Sequence, residues 1–220
     1  MILVVAATEI EMEPFLSLSG DGGDYLSYVA GVGPVETAVR LTSFVHQSGA
    51  KDKIEAVVNF GVAGAYLSYV EAEKISLLDL CLAKREIIGD FGICFEDHID
   101  TLPGALKVRN TFQLDMELFA KAKDILSQNN LAFHCGDFIT VNCASGTGKR
   151  GRNLFKQFGG LCENMEGAAI ARVCEEFSLP LLEIRCISNM VEDRDVGCWK
   201  LKEACENAAN AAALLVKQLK

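Results

Sequence analysis

The chain has 220 residues, half of them hydrophobic and 23% charged, with a mean hydropathy of +0.21. That is one large domain or two small ones with ample material for a core, and it excludes a wholly disordered chain. A formal charge of −9 disfavours nucleic acid as a partner, and the longest early apolar run, six residues from Ile2 to Ala7, is far below the roughly 20 of a membrane span; a soluble, cytoplasmic protein is expected.

Ile2 to Ala7 is wholly apolar, as in a strand buried on both faces. Thr8 to about Leu18 reads as a helix and Tyr25 to Ala30 as a second strand. Gly31-Val32-Gly33-Pro34 is a turn, with Pro34 suited to open the helix that runs to about Gln47. Ile54 to Phe60 is another apolar strand, running into a small-residue loop, Gly61 to Ala65. Ile75 to Ile88 is strand-like with breaks, and 90 to 113 is irregular. Asp115 to about Asn129 is an amphipathic helix, Leu131 to Val141 extended, and Ala144 to Gly151 a glycine-rich loop. Glu166 to Phe177 is helical, Pro180 to Met190 a strand, and Trp199 to Leu219 a long closing helix. Strands alternating with helices imply α/β layers around a central sheet, whose sites lie beyond the carboxyl ends of the strands.

The nine cysteines form no C-x-x-C pair and most sit beside apolar neighbours, so they read as small buried hydrophobes; the three histidines are scattered, and a zinc site has little support. Gly31-Val32-Gly33 lacks the third glycine of a dinucleotide fingerprint, Glu36 standing in its place. Around Gly148-Lys149, Cys143 and Arg150 occupy the positions where a phosphate loop needs glycine and a hydroxyl.

Carboxylates carry the stronger signals. Thr8 and Glu11 fit a helix capping box, or Glu11 points from the end of the first strand as a general base; both readings stay open. Asn164 and Glu166 share one face of an extended segment, where polar groups could grip vicinal hydroxyls. Glu183 and Arg185 share a face of an apolar strand that ends at Asn189.

These segments, in this order, resemble the purine nucleosidase and nucleoside phosphorylase superfamily. The matching stretches are Ala6 to Glu11, Gly31 to Pro34, Asn59 to Gly64, Asn164-Met165-Glu166 and Ile184 to Asn189. Within it, the phrases Asn59 to Ala65, Glu163 to Ala169 and Glu183 to Asp195, with Trp199 following, are most similar to the futalosine hydrolases of menaquinone biosynthesis, and secondarily to the methylthioadenosine/S-adenosylhomocysteine nucleosidases. The resemblance implies one domain over residues 1–220, folded as a three-layer α/β/α sandwich around a central mixed, twisted sheet. It implies a homodimer or higher oligomer, a small nucleoside as substrate, and no metal or organic cofactor.

It also implies roles. Glu11 would activate the attacking water, Glu166 would bind the ribose hydroxyls beside Asn164, and Met165 would lie against the sugar. Ala63 and Gly64 would approach sugar and base closely. Phe138, Ile139 and Thr140 would stack on the purine and bond it through backbone; Arg185 would lie close to the water, and Trp199 and Phe95 would flank the 5′ pocket. Asn189 departs from the aspartate of adenine-releasing relatives. An amide cannot act as a general acid, but it can donate to N7 or O6 of a 6-oxopurine, which favours release of hypoxanthine. The carboxylate on futalosine's 5′ arm would need a cation: Lys149, Arg150, Arg152 or Arg194. A methylthioadenosine-type nucleosidase, a phosphorylase of 6-oxopurine nucleosides, and a non-catalytic nucleoside-binding protein are the alternatives.

Overall fold

Every residue of β1 (Ile2–Ala6) is buried, and the strand runs parallel to both its neighbours, β2 (Tyr25–Val29) and β3 (Ala56–Tyr66). An unbroken apolar run suits that position, because neither face meets water. The computed structural model describes residues 1–19, 25–47, 50–67 and 75–219. From β3 the sheet continues through β10 (Leu181–Val191, parallel) and β4 (Leu80–Ile88, antiparallel to β10). It then passes to β8 (Phe133–Thr140) and β9 (Cys162–Asn164), which returns antiparallel to β3. Five strands of the mixed sheet therefore close on themselves. Two short strands, β5 (Ile93–Cys94) and β6 (Ile99–Asp100), form a separate hairpin, and β7 (Thr111–Gln113) pairs with the outer end of β4.

The strands alternate their side chains between two helical layers. Val4, Val58, Leu82, Leu182 and Ile184 pack with α1 (Glu9–Ser19), α3 (Met116–Gln128) and α6 (Leu201–Gln218). Leu3, Val5, Val57, Cys81 and Leu181 pack with α2 (Pro34–Gln47) and α5 (Gly167–Phe177). The buried face of α6 is largely alanine, at 204, 208, 209, 211 and 212, so the helix lies close against the sheet. The expected α/β/α arrangement around a mixed sheet is present.

Two stretches differ from the sequence reading. The expected loop at Gly61 to Ala65 is strand: β3 runs on to Tyr66 because β10 pairs with it along its whole length and β9 joins at Gly64 and Ala65. The glycine-rich stretch ends earlier than expected, since α4 (Gly148–Phe158) begins where Thr147 caps it by accepting from the Arg150 N–H. Cationic residues mask its apolar stripe in sequence, but Leu154 is buried beside Tyr66 and Val191. Among the described residues, no helix is long and apolar enough to cross a membrane.

Candidate active site

The carboxyl ends of β1, β3, β9 and β10 surround a cavity of about 270 Å³. Glu11 enters it from the first turn of α1. Thr8 caps that helix: its hydroxyl oxygen accepts from the Glu11 N–H (3.3 Å), while Glu11 Oε2 accepts from the Thr8 N–H (3.0 Å) and hydroxyl (2.8 Å). Glu11 Oε1 accepts from the Val62 N–H at 3.1 Å. The capping box and the cavity position thus coexist, since the bonds that close the helix also fix the carboxylate against β3. That approach explains Gly61: a Cβ there would stand 2.5 Å from Glu11 Oε1 and 2.9 Å from Arg185 Nη1.

Glu166 faces the cavity from the start of α5. Its Oε1 accepts from the Gly33 N–H at 3.1 Å, and its Oε2 lies 3.6 Å from Arg185 Nη1. Gly33 adopts a φ of +88°, so the turn read from sequence aims a backbone donor at this carboxylate. Burial pushes the Glu166 carboxyl upward, and the Arg185 guanidinium opposes that. Arg185 is itself almost wholly buried: its Nε donates to Glu183 Oε1 at 2.9 Å and its Nη1 to the Val62 carbonyl at 3.3 Å. Burial works against its charge, but Glu183, Glu166 and Glu11 outweigh that and raise its pKa.

Asn164 lies on the cavity wall and ties it to the interior. Its Oδ1 accepts from the N–H groups of Glu166 (3.0 Å) and Gly167 (2.7 Å), and its Nδ2 donates to Glu86 Oε1 at 2.7 Å. Asn189 also lines the cavity, where an irregularity between Ile187 and Asn189 shifts the β10–β3 register and the amide lies against Gly64. A Cβ on Gly64 would lie 3.0 Å from Asn189 Nδ2. The Ser188 hydroxyl donates to Asn189 Oδ1 at 2.9 Å, and Asn189 Nδ2 donates to the Met190 carbonyl at 3.2 Å, leaving a second N–H. Ala63, Met165 and Trp199 also line the cavity. The guanidinium of Arg194 lies over the Trp199 ring, 4.7 Å from its centroid.

Phe138, Ile139 and Thr140 do not line the cavity; this corrects the register expected for β8. Phe138 and Ile139 are fully buried in two different core clusters, and the Thr140 hydroxyl is occupied by interior partners. The residue from this stretch that reaches the cavity is Val141, just past the strand. Phe95 sits on the β5–β6 hairpin, half exposed and stacked on His98. Of the four candidate cations, Lys149 pairs with Glu96 and Arg150 with Asp90, and only Arg194 lines the cavity. Glu163, Ser145 and Cys205 line it too without having been singled out as site residues. Glu163 accepts both the N–H and the hydroxyl of Ser145 at 2.7 Å, which pins the loop before α4. The only sequence signal for it was its place beside Asn164.

The model of the phosphorylase superfamily matches residues 7–220. The chain belongs to that superfamily. Among its relatives is a futalosine hydrolase from Thermus thermophilus, 29% identical over 95% of this chain and 90% of its own length. A 5′-methylthioadenosine/S-adenosylhomocysteine nucleosidase from Mycobacterium bovis is 26% identical over 86% of this chain and 78% of its own. A solved 5′-methylthioadenosine/S-adenosylhomocysteine nucleosidase from Helicobacter pylori, with butyl-thio-DADMe-Immucillin-A, superposes with a TM-score of 0.85. It covers 98% of this chain and 97% of its own at 20% identity, a likeness of fold.

Proposed function

We propose that this phosphorylase-superfamily protein hydrolyses the N-glycosidic bond of futalosine, releasing hypoxanthine. The chain is an N-glycosyl hydrolase: two carboxylates face one cavity, and its relatives include nucleosidases. Breaking this bond leaves positive charge on the ribose and negative charge on the base, so catalysis requires stabilising both. Glu11, with no cation bonded to it among the described residues, takes the proton of the attacking water; Glu166, braced by the Gly33 N–H and Arg185, accepts from the ribose hydroxyls and favours the cationic sugar. Met165 packs against the ribose, and Ala63 and Gly64 leave room for sugar and base.

The observation that carries the choice of base is Asn189. Its free N–H is available to N7 or O6 of a 6-oxopurine, whereas an adenine leaving group needs a proton that an amide cannot supply. Hydrolysis is favoured over phosphorolysis because Glu11, Glu166 and Glu183 crowd the single buried guanidinium of Arg185 and would repel a phosphate dianion. Arg194, steadied on Trp199, is the cation placed to receive the carboxylate of futalosine's 5′ arm. The apolar wall formed by Ile10, Val32 and Leu201 favours a second reading, a substrate with a thioether 5′ arm such as methylthioadenosine.

The test is parallel incubation with futalosine, inosine and methylthioadenosine, each with and without phosphate, with the free base quantified. Hypoxanthine from futalosine, indifferent to phosphate, is expected. Adenine from methylthioadenosine would transfer the assignment to the second reading, and a requirement for phosphate would make the protein a phosphorylase.

A further inference from the structure

Behind the cavity wall, and untouched by the chemistry above, lies Glu86 on β4. It is fully buried and, among the described residues, bonded to no cation. The other charged groups facing it are Glu183 and Arg185 from β10, with the Cys162 thiol on β9; these two acids share one cation, and Arg185 donates to Glu183 instead. The two carboxyls converge on Gly167, where a Cβ would stand 2.1 Å from Glu86 Oε1 and 2.8 Å from Glu183 Oε1.

The hydrogen bonds around Glu86 have room for a proton on it, and a buried carboxyl that faces Glu183 while Arg185 bonds only Glu183 of the two has reason to keep one. Thr140 Oγ1 accepts from the Ala168 N–H at 2.7 Å. The same oxygen lies 2.6 Å from Glu86 Oε2 and 3.2 Å from Asn164 Oδ1, yet a hydroxyl has one proton to donate. The orientation of Asn164 is not free to change, because its Oδ1 accepts from two backbone N–H groups. With a proton on Glu86 Oε2 no bond is lost: Glu86 donates to Thr140, the Thr140 hydroxyl turns to Asn164 Oδ1, 3.2 Å away, and Asn164 Nδ2 donates to Glu86 Oε1.

We propose that Glu86 works as a neutral acid, carrying its proton on Oε2, and that it positions Asn164 and with it the start of α5 that presents Glu166. Glu86 is a positioning residue; it does not reach the cavity. Burial, and then the nearby Glu183, both push its carboxyl well above the ordinary range, which agrees with the geometry. The role assigned to Glu166 rests on the nucleosidase reading, but the protonation of Glu86 does not.

The experiment pairs infrared spectroscopy of the whole protein in D₂O at neutral pH with pH profiles of kcat/KM, for wild type, Glu86→Gln and Glu86→Ala. An amide at 86 reproduces the neutral acid, donating to Thr140 and accepting from Asn164. The expected result is a protonated-carboxyl band in wild type that Glu86→Gln removes. Glu86→Gln should keep activity within about threefold and lose an alkaline limb present in wild type. Glu86→Ala, which orphans the Asn164 amide, should lose about tenfold or more in kcat. A wild-type spectrum that Glu86→Gln leaves unchanged overturns the proposal. So does a Glu86→Gln protein that fails to fold or is as impaired as Glu86→Ala. If futalosine is not hydrolysed, the functional reading fails by itself, and the infrared comparison still decides the state of Glu86.

Discussion

Glu11 and Glu166 face one cavity from the starts of two different helices, but they are held in different ways. Glu11 is gripped by backbone N–H groups from two segments and by a hydroxyl, with no guanidinium bonded to it. Glu166 has one backbone donor and a guanidinium 3.6 Å away. A carboxylate without a bonded cation can take up a proton without breaking an ion pair. One braced by arginine is better suited to remain an acceptor. The difference in support matches a division of labour between a base and a ribose clamp, and it can be broken one side at a time.

Removing the base should give the largest effect. Glu11→Gln keeps the bulk of the side chain, and it should fold normally while kcat falls about 100-fold or more. A variant that melts early but keeps its specific activity would show that Glu11 serves only the capping box. Glu166→Gln should act differently. Weakening bonds between a charged group and the ribose should cost about ten- to a hundredfold in kcat/KM, with a share of it in KM, and much less for a substrate lacking the 2′-hydroxyl. Equal losses on ribo- and deoxyribonucleosides would remove Glu166 from the ribose.

Asn189 sharpens the same comparison, because in the proposed reaction an amide serves the leaving group. Asn189→Asp should lower hypoxanthine release and raise adenine release, read as the ratio of kcat/KM on futalosine to that on methylthioadenosine. An unchanged ratio would place residue 189 outside the base site. Arg194→Gln should raise KM for futalosine about tenfold and leave inosine unaffected, as expected for a charge-assisted bond to a group only one substrate carries. Trp199, the single tryptophan of the chain, lies under that guanidinium, so its fluorescence can report binding directly.

The order of strands and helices was legible because apolar runs and capping signals are local. So was the placing of Glu11, Asn164, Glu166 and Asn189 near the ends of strands, since a strand's end is marked in the sequence; Arg185, within its strand, was brought to the site by the family resemblance. Phe138 to Thr140 were misplaced because an apolar run does not reveal which residue is the last to be buried. The extension of β3 through Gly61 to Tyr66 was hidden because its small residues answer to approaching side chains from α1 and β10. Glu86 left no signal of its own. A register shift between Ala83 and Glu86 breaks the alternation of β4, so the pattern Lys84-Arg85-Glu86 reads as a charged, exposed stretch although its last member is wholly buried.

That hidden acid gives the smallest expected effect. Burial raises the carboxyl pKa of Glu86, and also those of Glu163 and Glu166, so just above the ordinary carboxyl value the folded protein binds more protons than the unfolded chain. Stability contributed in this way is fully present below the ordinary carboxyl value and is lost as pH rises through the raised one. Wild-type Tm should therefore decline across that window. In Glu86→Gln, residue 86 no longer titrates while the other two still do, so the decline should be shallower. For a chain of this size each kcal/mol corresponds to about 2–4 °C, so a calorimetric pH series can resolve the difference. Parallel curves for the two proteins would mean that Glu86 binds no extra proton on folding, and the division between a charged cavity wall and a neutral acid behind it would not hold.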